Sequence, residues 1–175
     1  SAVIATKDFP AEEFLMFATA QGNVKKTSMD QYDRTRRDGL IAINLKDGDE
    51  LISVKRVAKG EKVIMVSSAG KAILWDESEA RSMGRGTMGV RGMNVPADAH
   101  VLGMEIAKPG TDLFVITEKG YGKRTKIEEY PEHHRGGQGV YTITMTHKKG
   151  LLSVMKIVGP DDEIMIVSED GVIVR

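Results

Sequence analysis

The chain contains no cysteine, one tryptophan, and only 5% aromatic residues in total across 175 positions. Without cysteine it can form neither a disulfide framework nor a thiolate metal site, a composition that fits a reducing cytoplasm. Long apolar runs are missing too. None exceeds five residues, whereas a membrane-spanning helix needs about 18. The first residues lack the charged start and apolar stretch of a secretory signal. Net charge is also absent, because 25 basic residues balance 25 acidic ones. That balance argues against a nucleic-acid partner only if the charges are evenly spread, so their placement decides. What is present, 41% apolar and 29% charged residues over the length of one ordinary domain, excludes disorder.

The sequence repeats itself. Gly22, Gly70, Gly120 and Gly171 lie 48, 50 and 51 residues apart. Each follows an apolar tetrad: Leu15–Ala18, Val63–Val66, Leu113–Ile116 and Ile164–Val167. A hydroxyl residue comes directly after each tetrad (Thr19, Ser67, Thr117, Ser168). Further downstream, Leu51–Val54, Val101–Met104 and Leu151–Val154 recur every 50 residues, as do Gly60, Gly110 and Pro160.

Short apolar runs bounded by glycine turns read as buried strands. Each unit is therefore expected to run strand, glycine hairpin, strand, Gly/Arg-rich loop, strand, acidic turn, strand. The third strand is expected within 39–45 of the first unit and 140–145 of the third, and helical turns at 76–81 and 126–130. Four strands in roughly 50 residues predict an all-β propeller of four-stranded blades. A solenoid of helices would need an apolar stripe at a period of 3.6 residues, which is lacking. The chain reads as one domain, 1–175, with about three and a half units at 9–57, 58–107, 108–158 and 159–175.

Few loops offer chemistry. Gly84–Gly89 spells G-x-G-x-x-G, but Gly92 and Pro96 follow, so no helix can open at a bound pyrophosphate. The same slot one unit later holds Arg135-Gly136-Gly137-Gln138-Gly139, so the glycines belong to the repeat. His100, His133, His134 and His147 complete no metal-ligand spacing, and no catalytic triad is visible. We expect no catalytic site, no metal and no cofactor.

Positive charge is segregated. Lys25, Lys26, Arg34, Arg36 and Arg37 stand against Asp30 and Asp33, a net of +3. Arg81, Arg85 and Arg91 face no acid between 81 and 94, again +3. Lys119, Lys123, Arg124, Lys126 and Arg135 outweigh Glu128, Glu129 and Glu132 by +2. The stretch 158–170 holds five acids and no base. Stacked units would join these slots into a basic track for a phosphate backbone. Solvated strands carry such charges as well, so both readings stand at this point.

Several strings carry a family resemblance: Phe17–Thr27, Arg36–Leu45, Gly70–Ile73 with Asp76-Glu77-Ser78, Met83-Gly84-Arg85 with Gly89–Met93, and Glu118–Thr125. Together they resemble the C-terminal domain of the bacterial DNA gyrase A protein, from Phe9 onward. His133–Gly139 is similar to that family's Q-R-R-G-G-K-G box, keeping one arginine and the three glycines. The resemblance implies a β-pinwheel, a propeller whose blades exchange strands, with a basic perimeter that wraps duplex DNA without reading its sequence. It implies a non-catalytic piece of a cytoplasmic type IIA topoisomerase, partnered by the rest of the gyrase A protein and by the gyrase B protein. The nucleophile, ATP and magnesium sites would lie elsewhere in that enzyme. The family's usual six blades imply a fragment starting near the third, with unpaired edges that favour self-association. DNA contacts are expected at Lys25, Lys26, Arg34, Arg36, Arg37, Arg81, Arg85, Arg91, Lys123, Arg124, Lys126 and Arg135. Alternatives are the matching domain of topoisomerase IV and a propeller scaffold for protein partners, with a nucleotide-binding enzyme last.

Overall fold

The computed structural model describes residues 3–33 and 39–175. The strands in chain order are β1 (Glu13–Thr19), β2 (Asn23–Ser28), β3 (Leu51–Ala58), β4 (Lys62–Ser67), β5 (Lys71–Asp76), β6 (Val90–Arg91), β7 (Val101–Ile106), β8 (Asp112–Thr117), β9 (Gly122–Lys126), β10 (Val140–Tyr141), β11 (Leu152–Val158), β12 (Ile166–Val167) and β13 (Ile173–Val174). Among the described residues the only helical elements are 3-10 turns at Met29–Tyr32, Glu77–Glu79 and Ile127–Glu129. The last two fall where the acidic segments predict helical turns.

The hydroxyl–glycine register builds the hairpins. Gly22 N–H donates to Thr19 O and Gly120 N–H to Thr117 O, both at 3.0 Å. The Thr19 and Thr117 hydroxyls then accept from Asn23 N–H and Tyr121 N–H at 3.1 and 3.2 Å. A residue with φ near +90° closes each turn, which glycine supplies without steric cost.

The hairpins belong to antiparallel sheets in the order β3-β1-β2-β6, β10-β5-β4-β7 and β11-β8-β9, with β12-β13 as a separate pair. β6 lies in the second unit but completes the first blade, and β10 lies in the third unit but completes the second. These two blades thus borrow their fourth strand from the unit that follows, while the third, β11-β8-β9, has three strands among the described residues. Along the inner side β7 stands against both β3 and β11, tied to β3 by Ser53 Oγ donating to Met104 O at 3.1 Å. Apolar residues of adjacent blades form common clusters, so burial comes from stacking. Met16, Val57, Val63 and Trp75 share one cluster, and Leu74, Leu113, Ile127 and Leu152 share another.

One expected strand does not form. Residues 39–45 are irregular, although Gly39-Leu40-Ile41 occupies the slot of Gly89-Val90-Arg91. A two-residue exchange strand exists only when a preceding blade offers an edge, and the described residues hold none ahead of the first.

Candidate nucleic-acid interface

After their 3-10 turns, the second and third units run along the second strand of the preceding blade and touch it twice. Met83 N–H donates to Lys26 O at 2.8 Å, and β6 then pairs Val90 with Val24. The third unit repeats this, with His133 N–H on Leu74 O at 2.8 Å and Val140 opposite Ala72. Between those anchors the loops 84–89 and 134–139 project from the edge opposite the inner row.

Successive loops are joined. Asn44 N–H donates to Thr87 O at 3.1 Å, Asn94 N–H to Gly137 O at 2.9 Å and Gly136 N–H to Gly92 O at 2.7 Å. A continuous ribbon of main chain therefore crosses from one blade to the next. Two glycines make the crossing possible. Gly89 and Gly139 have φ of +87° and +76°, and a Cβ there would lie 2.1 Å from Val24 O and 2.2 Å from Ala72 O. The last glycine of the G-x-G-x-x-G string, Gly89, thus serves the crossing between blades.

The ribbon carries arginine. Arg81 and Arg91 are exposed, and Arg85 and Arg135 are half-buried. Arg135 braces its own loop: Nε donates to Glu79 O at 2.9 Å and Nη1 to Arg91 O at 3.0 Å. His134 is exposed and meets Glu79 at 3.0 Å. Lys126 is exposed at the end of β9. Arg34, Arg36 and Arg37 lie outside the described residues.

Lys25 and Lys26 do not face outward, which corrects the expectation of a shared rim. Both are buried, at 0% and 5% exposure, because the second unit's turn and loop cover the edge of β2. Lys25 Nζ donates to the carbonyls of Ala42 and Arg85 and sits 5.2 Å from the centre of the Phe17 ring. Burial, with repulsion from Arg85, pushes its ammonium down to about 8. Lys26 Nζ pairs with Glu77 Oε2 at 2.7 Å. Lys123 and Arg124 occupy the same two slots on β9 and are exposed, since among the described residues no following unit covers that strand.

Sequence reasoning misses Lys71. It lies beside the ribbon, 4.9 Å over the ring of exposed Tyr141 and 3.0 Å from Gln138 Oε1. Its position directly after a repeat glycine is the available signal. No cluster of three or more metal-ligating side chains occurs among the described residues, and no helix there is long and apolar enough to cross a membrane.

Exchanged strands and an outer ribbon of arginine-bearing loops define a strand-swapped β-propeller array. Residues 13–58, 61–108 and 111–148 match the family described as DNA gyrase C-terminal domain, beta-propeller, and the chain belongs to that family. It is 38% identical to the DNA gyrase A protein of Staphylococcus epidermidis over 178 residues, covering 100% of this chain and 20% of that protein. Against the gyrase A protein of Mycobacterium tuberculosis the identity is 37% over 175 residues, covering 99% and 21%. The chain thus spans about a fifth of the length of these relatives. Among solved structures, the C-terminal domain of a DNA topoisomerase IV superposes with a TM-score of 0.88 at 26% identity, covering 97% of this chain and 54% of that one. A DNA gyrase A C-terminal domain superposes at 0.80 with 30% identity, covering 96% and 56%.

Proposed function

We propose that this chain is a non-catalytic module that binds and bends duplex DNA along the loop ribbon, independently of sequence, within a gyrase-type topoisomerase. The observation that carries this reading is the ribbon itself, which joins arginine-bearing loops of successive blades along one outer edge. Phosphate contacts need positive donors at recurrent spacing and no side chains aimed at base edges. Arginine suits this because its planar fork can hold main-chain carbonyls and still present donors to phosphate, as the geometry of Arg135 illustrates. Bending a duplex costs on the order of 1–6 kcal/mol, so contacts must accumulate over several blades. The parent enzyme would supply ATP hydrolysis, magnesium and strand passage from other parts of the gyrase A protein and from the gyrase B protein, in the bacterial cytoplasm. This piece would need no cofactor.

The test is a DNA titration at several salt concentrations with two unrelated duplexes. If roughly four arginines reach phosphates, log K should fall against log salt with a slope near −4. Reversing Arg81 and Arg91 to Glu should weaken binding and flatten that slope by about two. Neutralising Asp161, Asp162 and Glu163 should leave affinity equal or slightly higher. A strong preference for one duplex, or reversed-charge variants that bind like the parent, would refute the ribbon.

A further inference from the structure

Two seams between units use one geometry and opposite chemistry. At the first, Lys26 of β2 meets Glu77 of the following turn, with the two side chains 7% and 4% exposed. At the second, the same slots hold Leu74 and Ile127, both buried in a single apolar cluster. The slot before them differs in the same sense: Lys25 donates to two carbonyls of the covering segments, whereas Ile73 is apolar and fully buried. The seam therefore distinguishes an acidic turn from an apolar one.

β9 is the third strand of this kind, and its outer edge is unpaired among the described residues. We propose that this edge is a seat selective for a repeat unit whose turn carries a carboxylate in the slot of Glu77, with Lys123 and Arg124 as seam residues and not DNA contacts. Lys123 stands where Lys25 stands, poised for carbonyls of a covering loop. Arg124 stands where Lys26 stands. Its Nε is bonded to Asp112 of its own blade and its Nη2 donates to Gly159 O at 2.6 Å. A guanidinium has five N–H donors, so several remain for an incoming carboxylate. A turn with isoleucine or methionine in that slot would cover them with hydrocarbon, at the cost of burying polar groups unpaired. A second copy of this chain would offer such a turn, because its first unit carries Met29 there. The charged edge thereby selects against head-to-tail addition of identical chains, a known device for edge strands. The inference does not depend on DNA binding.

The test adds peptides in trans to the 175-residue protein and reads binding by fluorescence anisotropy and amide exchange. The probe is residues 76–95, which contain the acidic turn, the loop and the exchange strand. It should bind saturably and protect amides of Gly122–Lys126. An E77Q peptide should bind at least about tenfold more weakly, since it removes one partner of a buried charge pair. An E79Q peptide, with the same net charge, should stay within about twofold of the parent. The K123I/R124L protein, which copies Ile73 and Leu74, should prefer residues 126–145, where Ile127 fills the slot. Absence of saturable binding, equal weakening by E77Q and E79Q, or unchanged preference in K123I/R124L would each overturn the proposal.

Discussion

The seam between Lys26 and Glu77 allows a sharp test of what holds the first two blades together. Lys26 Nζ donates to Glu77 Oε2 at 2.7 Å and to Glu77 O at 3.1 Å, and lies 4.6 Å from the centre of the Phe14 ring. The other carboxylate oxygen accepts from Gly60 N–H at 3.1 Å. Removing either partner strands a charge that is almost fully enclosed. E77I or K26L alone should therefore cost about 3–5 kcal/mol. The double variant K26L/E77I recreates the chemistry of Leu74 and Ile127, which the same fold already accepts. Replacing a buried ion pair by well-packed apolar residues is neutral to stabilising, so the double variant should return to within about 1 kcal/mol of the parent or exceed it. Urea unfolding followed by fluorescence of Trp75 suits the purpose, because this sole tryptophan is fully buried in the cluster shared by those two blades. A constant slope with denaturant would verify that the variants unfold in the same cooperative unit. Single-variant losses below about 1 kcal/mol, or a double variant as unstable as the sum of the singles, would refute the reasoning.

Lys25 is expected to impose a pH dependence. Its ammonium falls to about 8 in the folded chain from about 10.4 when unfolded. Between those values the unfolded state binds more protons, so stability should rise with pH by about 3 kcal/mol through this window. Unfolding free energies from pH 7 to 11 should show that rise in the parent relative to K25M, and parallel profiles would refute it. The crossing glycines provide a second contrast. G139A places a Cβ 2.2 Å from Ala72 O at a φ of +76°, whereas G39A has the same φ and nothing within 4 Å. G39A should cost about 1–2 kcal/mol from backbone handedness alone. G139A should cost clearly more and expose Val140 and Tyr141 amides to hydrogen exchange, and equal losses would show that the close approach is unimportant.

The hairpins are legible in the sequence because each turn needs a fixed hydroxyl, a fixed glycine and strands long enough to show an apolar run. The 3-10 turn at Glu77–Glu79 is legible for a similar local reason, since Asp76 caps Ser78 N–H at 2.9 Å, whereas the turn at Met29–Tyr32 has no side-chain cap and is missed by sequence reasoning. Exchange strands are a different case. β6 and β10 are two residues long, too short for any alternation, and their partners lie in another unit. Only the family resemblance implies the swap. The same blind spot misplaces Lys25 and Lys26. Strand alternation treats one face as solvent, but β2 is packed within the array and its edge is roofed by the second unit. Two adjacent lysines on such a strand both find carbonyl or carboxylate partners inside. Applied to the slot three and four residues after each repeat glycine, the implied swap is enough to flag that burial.

The neutral charge count hides two uses of positive charge, one in the buried pair Lys25 and Lys26 and one in the ribbon arginines. Lys25 and Lys26, both buried, are compact point charges on flexible stems. Such a group can turn its donors towards converging carbonyls or a single carboxylate in a small space. The ribbon cations Arg81, Arg85, Arg91 and Arg135 are all arginine. Arg135 shows why that matters, because two of its donors hold the loop's own frame while the rest of the fork stays available. A lysine there could brace the loop or meet a phosphate, but not both at once in a fixed plane. Replacing Arg135 by Lys keeps the charge and so preserves the bulk electrostatic attraction. It removes the side-chain brace between Glu79 and Arg91 and leaves the neighbouring loops held only by the main-chain bonds Gly136 to Gly92 and Asn94 to Gly137. On the proposed reading, a bound duplex would sense the position of these loops as the spacing between successive phosphate contacts. Fold and charge pattern are therefore coupled through side chains that serve both.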